Sequence, residues 1–225
     1  MNISEIDSNF KIETNLSEKD IVWQDAGGDS FVKYGVVKSD EDYLRMPRTV
    51  AKTVNEGVAG LCDNTAGVRI RFSTDSPYIA IKAVFPYLCR FPHMPLSGTG
   101  GFDLYKEAGG QQSFVGAYIP PIDGENGFDG IVYTQNSTGK SVNYILNFPT
   151  YNPVTKLYIG IKAGSRTETP DKYINKNPWS STVLPLRRAD VPQDREIFIR
   201  IFCRERLIWF IYVWDFREMP RARRK

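Results

Sequence analysis

The chain has 225 residues, 41% hydrophobic and 24% charged, with a formal net charge of +3, which suits one sandwich-sized domain with an appendage better than two full domains. Eighteen glycines, fourteen prolines and 13% aromatic residues exclude collagenous and wholly disordered chains. Leu207 to Val213 is the longest strongly apolar run; at seven residues it is too short for a membrane helix, so no membrane partner is expected.

Residues 1–19 are polar and read as a loosely docked lead-in, with no basic-then-apolar leader. From there to about residue 165 the signal is short strands. They are expected at Phe31–Val37, Val68–Phe72, Ile79–Ala83, Phe102–Glu107, Ser113–Tyr118, Ile131–Thr134, Val142–Phe148 and Leu157–Ile161. In the second, Val68, Ile70 and Phe72 alternate with Arg69 and Arg71, giving one apolar and one wet face at period two. Turn sequences punctuate the series: Asp75-Ser76-Pro77, Ala108-Gly109-Gly110, Asp123-Gly124, Thr138-Gly139 and Asn152-Pro153. Many short strands and hardly a helical stretch predict an all-β domain, a β-sandwich or jelly roll.

After Pro178 the composition changes. Up to that residue there are 18 Lys+Arg against 20 Asp+Glu, and from Trp179 onward 11 against 6. Lysine outnumbers arginine twelve to six before the boundary, and arginine outnumbers lysine ten to one after it. Three of the four tryptophans and none of the eighteen glycines fall in these last residues. The runs Ile197–Phe202 and Leu207–Val213 are far more apolar than phosphate-tracking arms, so Arg221, Arg223, Arg224 and Lys225 are not read as a nucleic-acid arm. An irregular, poorly ordered tail is expected over 179–225.

Chemistry-bearing signals are few. With one histidine, His93, any Ser-His-Asp or Cys-His device would have to pass through it. Cys62, Cys89 and Cys203 stand at unrelated spacings and the carboxylates are scattered, so no disulfide framework, metal site or cofactor is expected, and the thiols read as those of a cytoplasmic protein. Gly28-Asp29-Ser30 spells a hydrolase nucleophile tripeptide but follows Asp25-Ala26-Gly27 rather than an apolar strand, and reads as a turn. Three stretches stand above background. Phe91-Pro92-His93-Met94-Pro95 is a loop stiffened by prolines. Gly101-Phe102-Asp103-Leu104-Tyr105 opens a strand with Asp103 and Tyr105 on one side. Phe148-Pro149-Thr150-Tyr151-Asn152-Pro153 is an aromatic turn. The plain reading has Asp103 satisfying loop amides while His93 and Tyr151 pack. The functional reading makes His93, Met94, Asp103, Tyr105, Tyr151 and Asn152 a rim facing a sugar or a neighbouring domain.

Taken together, Val22-Trp23-Gln24-Asp25, Gly67-Val68-Arg69-Ile70-Arg71-Phe72 with Thr74-Asp75-Ser76, Pro92-His93-Met94-Pro95, Gly101-Phe102-Asp103-Leu104-Tyr105 and Tyr151-Asn152 resemble the N-terminal domain of bacterial SGNH-type (GDSL-like) esterases, named for its G-x-D-L-Y motif. The resemblance spans residues 20–178. It implies a β-sandwich placed before an α/β catalytic domain similar to carbohydrate-ester hydrolases, whose serine nucleophile lies in a G-[ST]-S-I-T-Q-G-G-C-A-S-R-P-G stretch soon after a Lys-Pro. Here Asn177-Pro178 arrives in place and the pattern then stops.

Shifting the reading frame restores it. With each codon begun at the third base of the written one, residues 179–197 can be back-translated to VFYGSSITQGGCASRPGN, and Val213–Arg221 at the same offset to LGFSGNAKG, which resembles the family's oxyanion-hole motif. The middle base of every shifted codon is dictated by a written residue, so agreement over both stretches is not free. The shift also explains the missing glycine and the excess of arginine and tryptophan. The expected organisation is a lead-in at 1–19, the sandwich domain at 20–178, and an out-of-frame remnant of the catalytic domain at 179–225. On this reading the chain is a truncated SGNH esterase without catalytic residues. Its partner in intact relatives is the missing catalytic domain, and carbohydrate is a further candidate. A stand-alone carbohydrate- or protein-binding module is the alternative.

Overall fold

The computed structural model describes residues 16–37, 43–109, 111–136 and 139–171, with the backbone of three further strands at 180–186, 197–203 and 210–214. The chain divides into two units, Met1–Ile174 and Asn175–Lys225.

The first unit holds ten strands: β1 (Ile21–Asp25), β2 (Val32–Tyr34), β3 (Arg69–Thr74), β4 (Tyr78–Val84), β5 (Phe102–Ala108), β6 (Gln111–Tyr118), β7 (Gly127–Tyr133), β8 (Val142–Asn147), β9 (Lys156–Lys162) and β10 (Thr167–Glu168). They form a four-stranded sheet in the order β1-β9-β4-β7 and a six-stranded sheet in the order β10-β3-β8-β5-β6, with β2 also on β3. Every pairing is antiparallel. The period-two pattern decides which faces meet. Ile79, Ile81, Leu157 and Ile159 of one sheet share a buried cluster with Ile70, Phe72, Phe102, Leu104 and Leu146 of the other. Each such side chain contributes roughly 1.5–3 kcal/mol of transfer free energy. Tyr118 of β6 crosses the layer and donates its hydroxyl to the Ile79 carbonyl at 2.9 Å, satisfying a buried polar group where the two sheets approach. The architecture is the expected all-β sandwich.

Two features depart from the period-two reading. Arg71 is 2% exposed rather than wet. Its guanidinium pairs with Glu107 and donates to the Asp171 carbonyl at 2.9 Å, because the chain after β10 returns over this side of the sheet. Helices also occur where none was expected, at α1 (Arg48–Val54) and α2 (Glu56–Leu61), with a short α3 at Leu96–Thr99. Asn55 caps α2 by accepting the Val58 N–H at 2.8 Å.

Most of the lead-in lies outside the described residues. Of its described residues, Glu18 accepts the Tyr133 hydroxyl, and just beyond it Asp20 accepts that of Tyr78 at 2.7 Å. In the second unit, β11 (Ser180–Leu186), β12 (Ile197–Cys203) and β13 (Phe210–Trp214) form an antiparallel sheet in chain order. Regular strand is thus present at three stretches of the segment expected to be irregular, as their β-branched and aromatic content favours whatever its origin. The rest of 179–225 lies outside the described residues.

Candidate functional site

The loop leaving β4 closes one end of the sandwich. Met94 donates its N–H to the Phe91 carbonyl at 3.2 Å, so Phe91-Pro92-His93-Met94 is a tight turn with proline where φ must be near −65°. Pro95 then starts α3, and Gly98, Thr99 and Gly100 donate back to the Pro95 and Leu96 carbonyls. The motif glycine follows directly. A Cβ on Gly101 would stand 2.5 Å from the Ser97 carbonyl oxygen, so only glycine lets β5 start this close beneath α3.

The aromatic turn after β8 joins the same end. Tyr151 donates its N–H to the Thr99 carbonyl at 3.1 Å, and its ring meets Phe91 edge-on at 5.3 Å, with His93 on Phe91 at 5.6 Å. Asn152 is fully buried. Its Oδ1 accepts the Cys89 N–H at 2.7 Å and its Nδ2 donates to the Tyr87 carbonyl at 2.8 Å, which pins the loop. The Asn152 carbonyl accepts both the N–H and the hydroxyl of Thr65. Arg90 closes a third loop by donating to the Ile122 carbonyl at 3.0 Å and to that of Gly124. His93, Met94 and Tyr151 therefore share one rim. Asn152 sits beneath it with its amide already used, so its contribution is to hold the rim's shape.

Asp103 and Tyr105 lie elsewhere, on the outer face of the six-stranded sheet, as the alternation with Phe102 and Leu104 requires. Asp103 stands opposite Asn147, the last residue of β8, so its end of the face adjoins the loop rim. The surrounding protein pushes the Asp103 carboxyl up from its ordinary pKa by desolvation, and the group has no hydrogen-bond or ion-pair partner among the described residues. Tyr105 packs edge-on against Phe114 of β6 at 5.6 Å. Phe114 is 60% exposed. Sequence reasoning passes over it because a β-bulge in β6, opposite Leu104 and Tyr105, breaks the alternation that would place it inward.

No acid–base pair is assembled here. His93 is exposed, and its ring lies against Phe91 at 5.6 Å. Gly28-Asp29-Ser30 is a turn between β1 and β2, closed by the Phe31 N–H on the Gly28 carbonyl at 3.1 Å. No helix among the described residues is long and apolar enough to cross a membrane.

The GxDLY family, described as the N-terminus of SGNH-hydrolase-type esterases, matches residues 21–167. The chain belongs to this family. Among solved structures, a Bacteroides ovatus protein described as a GDSL-like lipase is similar to this GxDLY chain at 24% identity with a TM-score of 0.60, over 72% of this chain and 45% of that one. A salicylyl-acyltransferase from a tetracycline biosynthetic pathway aligns at 19% identity and a TM-score of 0.49, over 69% and 43% of the respective chains. The GxDLY chain thus spans less than half the length of either. No curated protein matches it.

Proposed function

We propose that residues 20–178 are the non-catalytic N-terminal domain of an SGNH esterase acting on carbohydrate esters, and that residues 179–225 are an out-of-frame remnant of its catalytic domain. The family match over residues 21–167 supports an SGNH-type N-terminal domain, and the carbohydrate ester rests on the likeness of the shifted-frame nucleophile stretch to carbohydrate-ester hydrolases. The reading of 179–225 rests on the two hydrolase motifs that reappear in one shifted register. SGNH chemistry needs a serine activated by histidine, a carboxylate to orient that histidine, and preorganised donors for the oxyanion. In the written frame, Ser180 and Ser181 lack the flanking glycines of the nucleophile stretch, and His93, the chain's single histidine, belongs to the sandwich. The chain as translated therefore does not hydrolyse esters, since the rate that survives loss of the nucleophile and its base comes from the oxyanion donors and substrate contacts, and these lie in the untranslated frame too. Cytoplasmic location, with Cys62 and Cys89 as free thiols, belongs to the same proposal.

Two measurements test it. Sequencing the DNA around the Pro178 codon should show an open hydrolase frame one step away. Assays of the purified chain on p-nitrophenyl acetate and acetylated oligosaccharides should stay at background. Turnover that disappears with His93→Ala would overturn the non-catalytic reading. The Phe91, His93 and Tyr151 cluster favours a second reading, a sugar-binding module, because aromatic faces beside polar groups suit a sugar ring. Saturable binding of an oligosaccharide at that rim would select it.

A further inference from the structure

The outer face of the six-stranded sheet gathers polar groups whose hydrogen-bonding capacity the fold leaves unused. Cross-strand register sets Asn147 of β8 beside Asp103 of β5, and one row along it sets Ile145, Tyr105 and Phe114 over β8, β5 and β6. Directly paired residues stand about 5 Å apart and successive residues on one face about 7 Å apart, so all five lie within reach of one short ligand. The Asp103 carboxylate, the Asn147 carboxamide and the Tyr105 hydroxyl have no hydrogen-bond partner among the described residues. Ile145 is buried and floors the second row, whereas Phe114 is open to solvent with Tyr105 edge-on to it at 5.6 Å.

The mixture of groups selects the kind of ligand. Asp103 offers acceptors alone, Asn147 an acceptor and an N–H donor pair, and the Tyr105 hydroxyl both. A sugar ring carries hydroxyls that donate and accept around its edge and C–H groups across its flat side, which matches polar groups beside an exposed aromatic ring. An anionic ligand would meet the Asp103 charge. A cation would satisfy Asp103 but bring no acceptor for the Asn147 N–H groups, and an apolar ligand would strand all three polar groups.

We propose that Asp103, Asn147, Tyr105 and Phe114 form a binding site for a neutral glycan on the outer face of the six-stranded sheet, distinct from the Phe91 and Tyr151 cluster of the loop rim. Phe114 stacks on one sugar ring, Asp103 accepts from its hydroxyls, Asn147 donates to a neighbouring one, and Tyr105 does either. Every residue of the site belongs to the sandwich in the written frame, so the site stands whether or not residues 179–225 descend from a hydrolase.

Calorimetric titration of the full chain with xylohexaose, cellohexaose and mannohexaose tests it, with trigalacturonate and tetramethylammonium as anionic and cationic counterparts. At least one neutral hexaose should bind saturably and neither charged probe should. Phe114→Ala should weaken that binding about tenfold, as loss of an aromatic anchor does, and Asp103→Ala and Asn147→Ala about fivefold each, the effect of one hydrogen bond. Phe114→Leu, which keeps an apolar side chain of similar bulk, should lose as much as Phe114→Ala, and Tyr151→Ala at the loop rim should change nothing. Binding that Tyr151→Ala weakens and Phe114→Ala spares would place the sugar at the rim and overturn this inference while favouring the rim module. No binding of any neutral hexaose would overturn it, as would tetramethylammonium binding lost in Phe114→Ala without any sugar binding. The DNA sequence around codon 178 alters none of these outcomes, so failure of the hydrolase reading and failure of the glycan site are told apart.

Discussion

Replacing Asn152 by alanine removes the side-chain partners of two backbone groups at once, the Cys89 N–H and the Tyr87 carbonyl. The segment they pin carries Leu88, 8% exposed, into the core. An orphaned buried backbone group costs about 1–3 kcal/mol. Cys89 is only half-buried, so water can rescue part of this, and the expected loss is about 2–4 kcal/mol. For a domain of roughly 150 residues that lowers Tm by about 5–15 °C. Urea unfolding of the full chain, followed by far-UV circular dichroism, measures it. Asn152→Asp sharpens the test. A carboxylate keeps the Cys89 hydrogen bond but sets an oxygen against the Tyr87 carbonyl, so the folded state prefers the protonated acid and its pKa is raised. Stability from that proton is fully present below the unfolded carboxylate value of about 4 and is lost as pH rises through the raised folded value. Relative to the unmutated chain, Asn152→Asp should therefore recover most of its deficit near pH 4, whereas Asn152→Ala should not. An alanine variant within about 0.5 kcal/mol of the parent, a surface-like effect, or an aspartate variant with no such recovery, would refute the pinning role.

Arg71→Met strands Glu107, whose side chain is 10% exposed, and should cost about 3–5 kcal/mol in urea denaturation; Arg71→Met with Glu107→Leu should recover much of it, and an additive double variant would deny that the two charges act as a pair. Gly101→Ala drives a Cβ into the Ser97 carbonyl and should lower stability by about 1–3 kcal/mol, with an unchanged melting curve as the contrary result. The Arg166 N–H donates to Asp75 at 2.8 Å and holds its carboxyl below the ordinary value. The stability this gives is complete above the unfolded pKa and fades as pH falls through the lowered folded one. Asp75→Asn should accordingly show a shallower loss of stability in acid than the parent; identical pH profiles would count against it.

The sandwich is legible in residues such as Val68, Ile70 and Phe72 because a half-buried strand imposes period two on its own sequence. Arg71 is misread for the same reason. Local alternation places it outward correctly, but the carbonyl that covers it comes from Asp171, a hundred residues later. The helices at 48–61 escape notice because Thr49, Val50, Thr53 and Val54 are β-branched and Gly57 and Gly60 weaken the pattern, while Pro47 and the Asn55 cap set the start of each. At the candidate site, the prolines around His93 announce a stiff loop. That Asn152 faces inward while Tyr151 faces the rim depends on contacts with residues 65, 87 and 89, which no short motif encodes.

The bulge in β6 has a cause at the far tip of its hairpin. Between the Leu104–Gly116 and Ala108–Gln111 pairs, five residues of β5 face six of β6. The two-residue turn fixes the count from one end and the packed core fixes it from the other, so one amino acid is left over and Val115 is squeezed out of line. If the turn instead took in Gln111 and became three residues long, this surplus would be reabsorbed. The strand would then slip one place, Val115 would come to oppose Tyr105, and Phe114 would turn toward the interior. The side chain presented to the outside world is thus chosen by the length of a bend about 10 Å away.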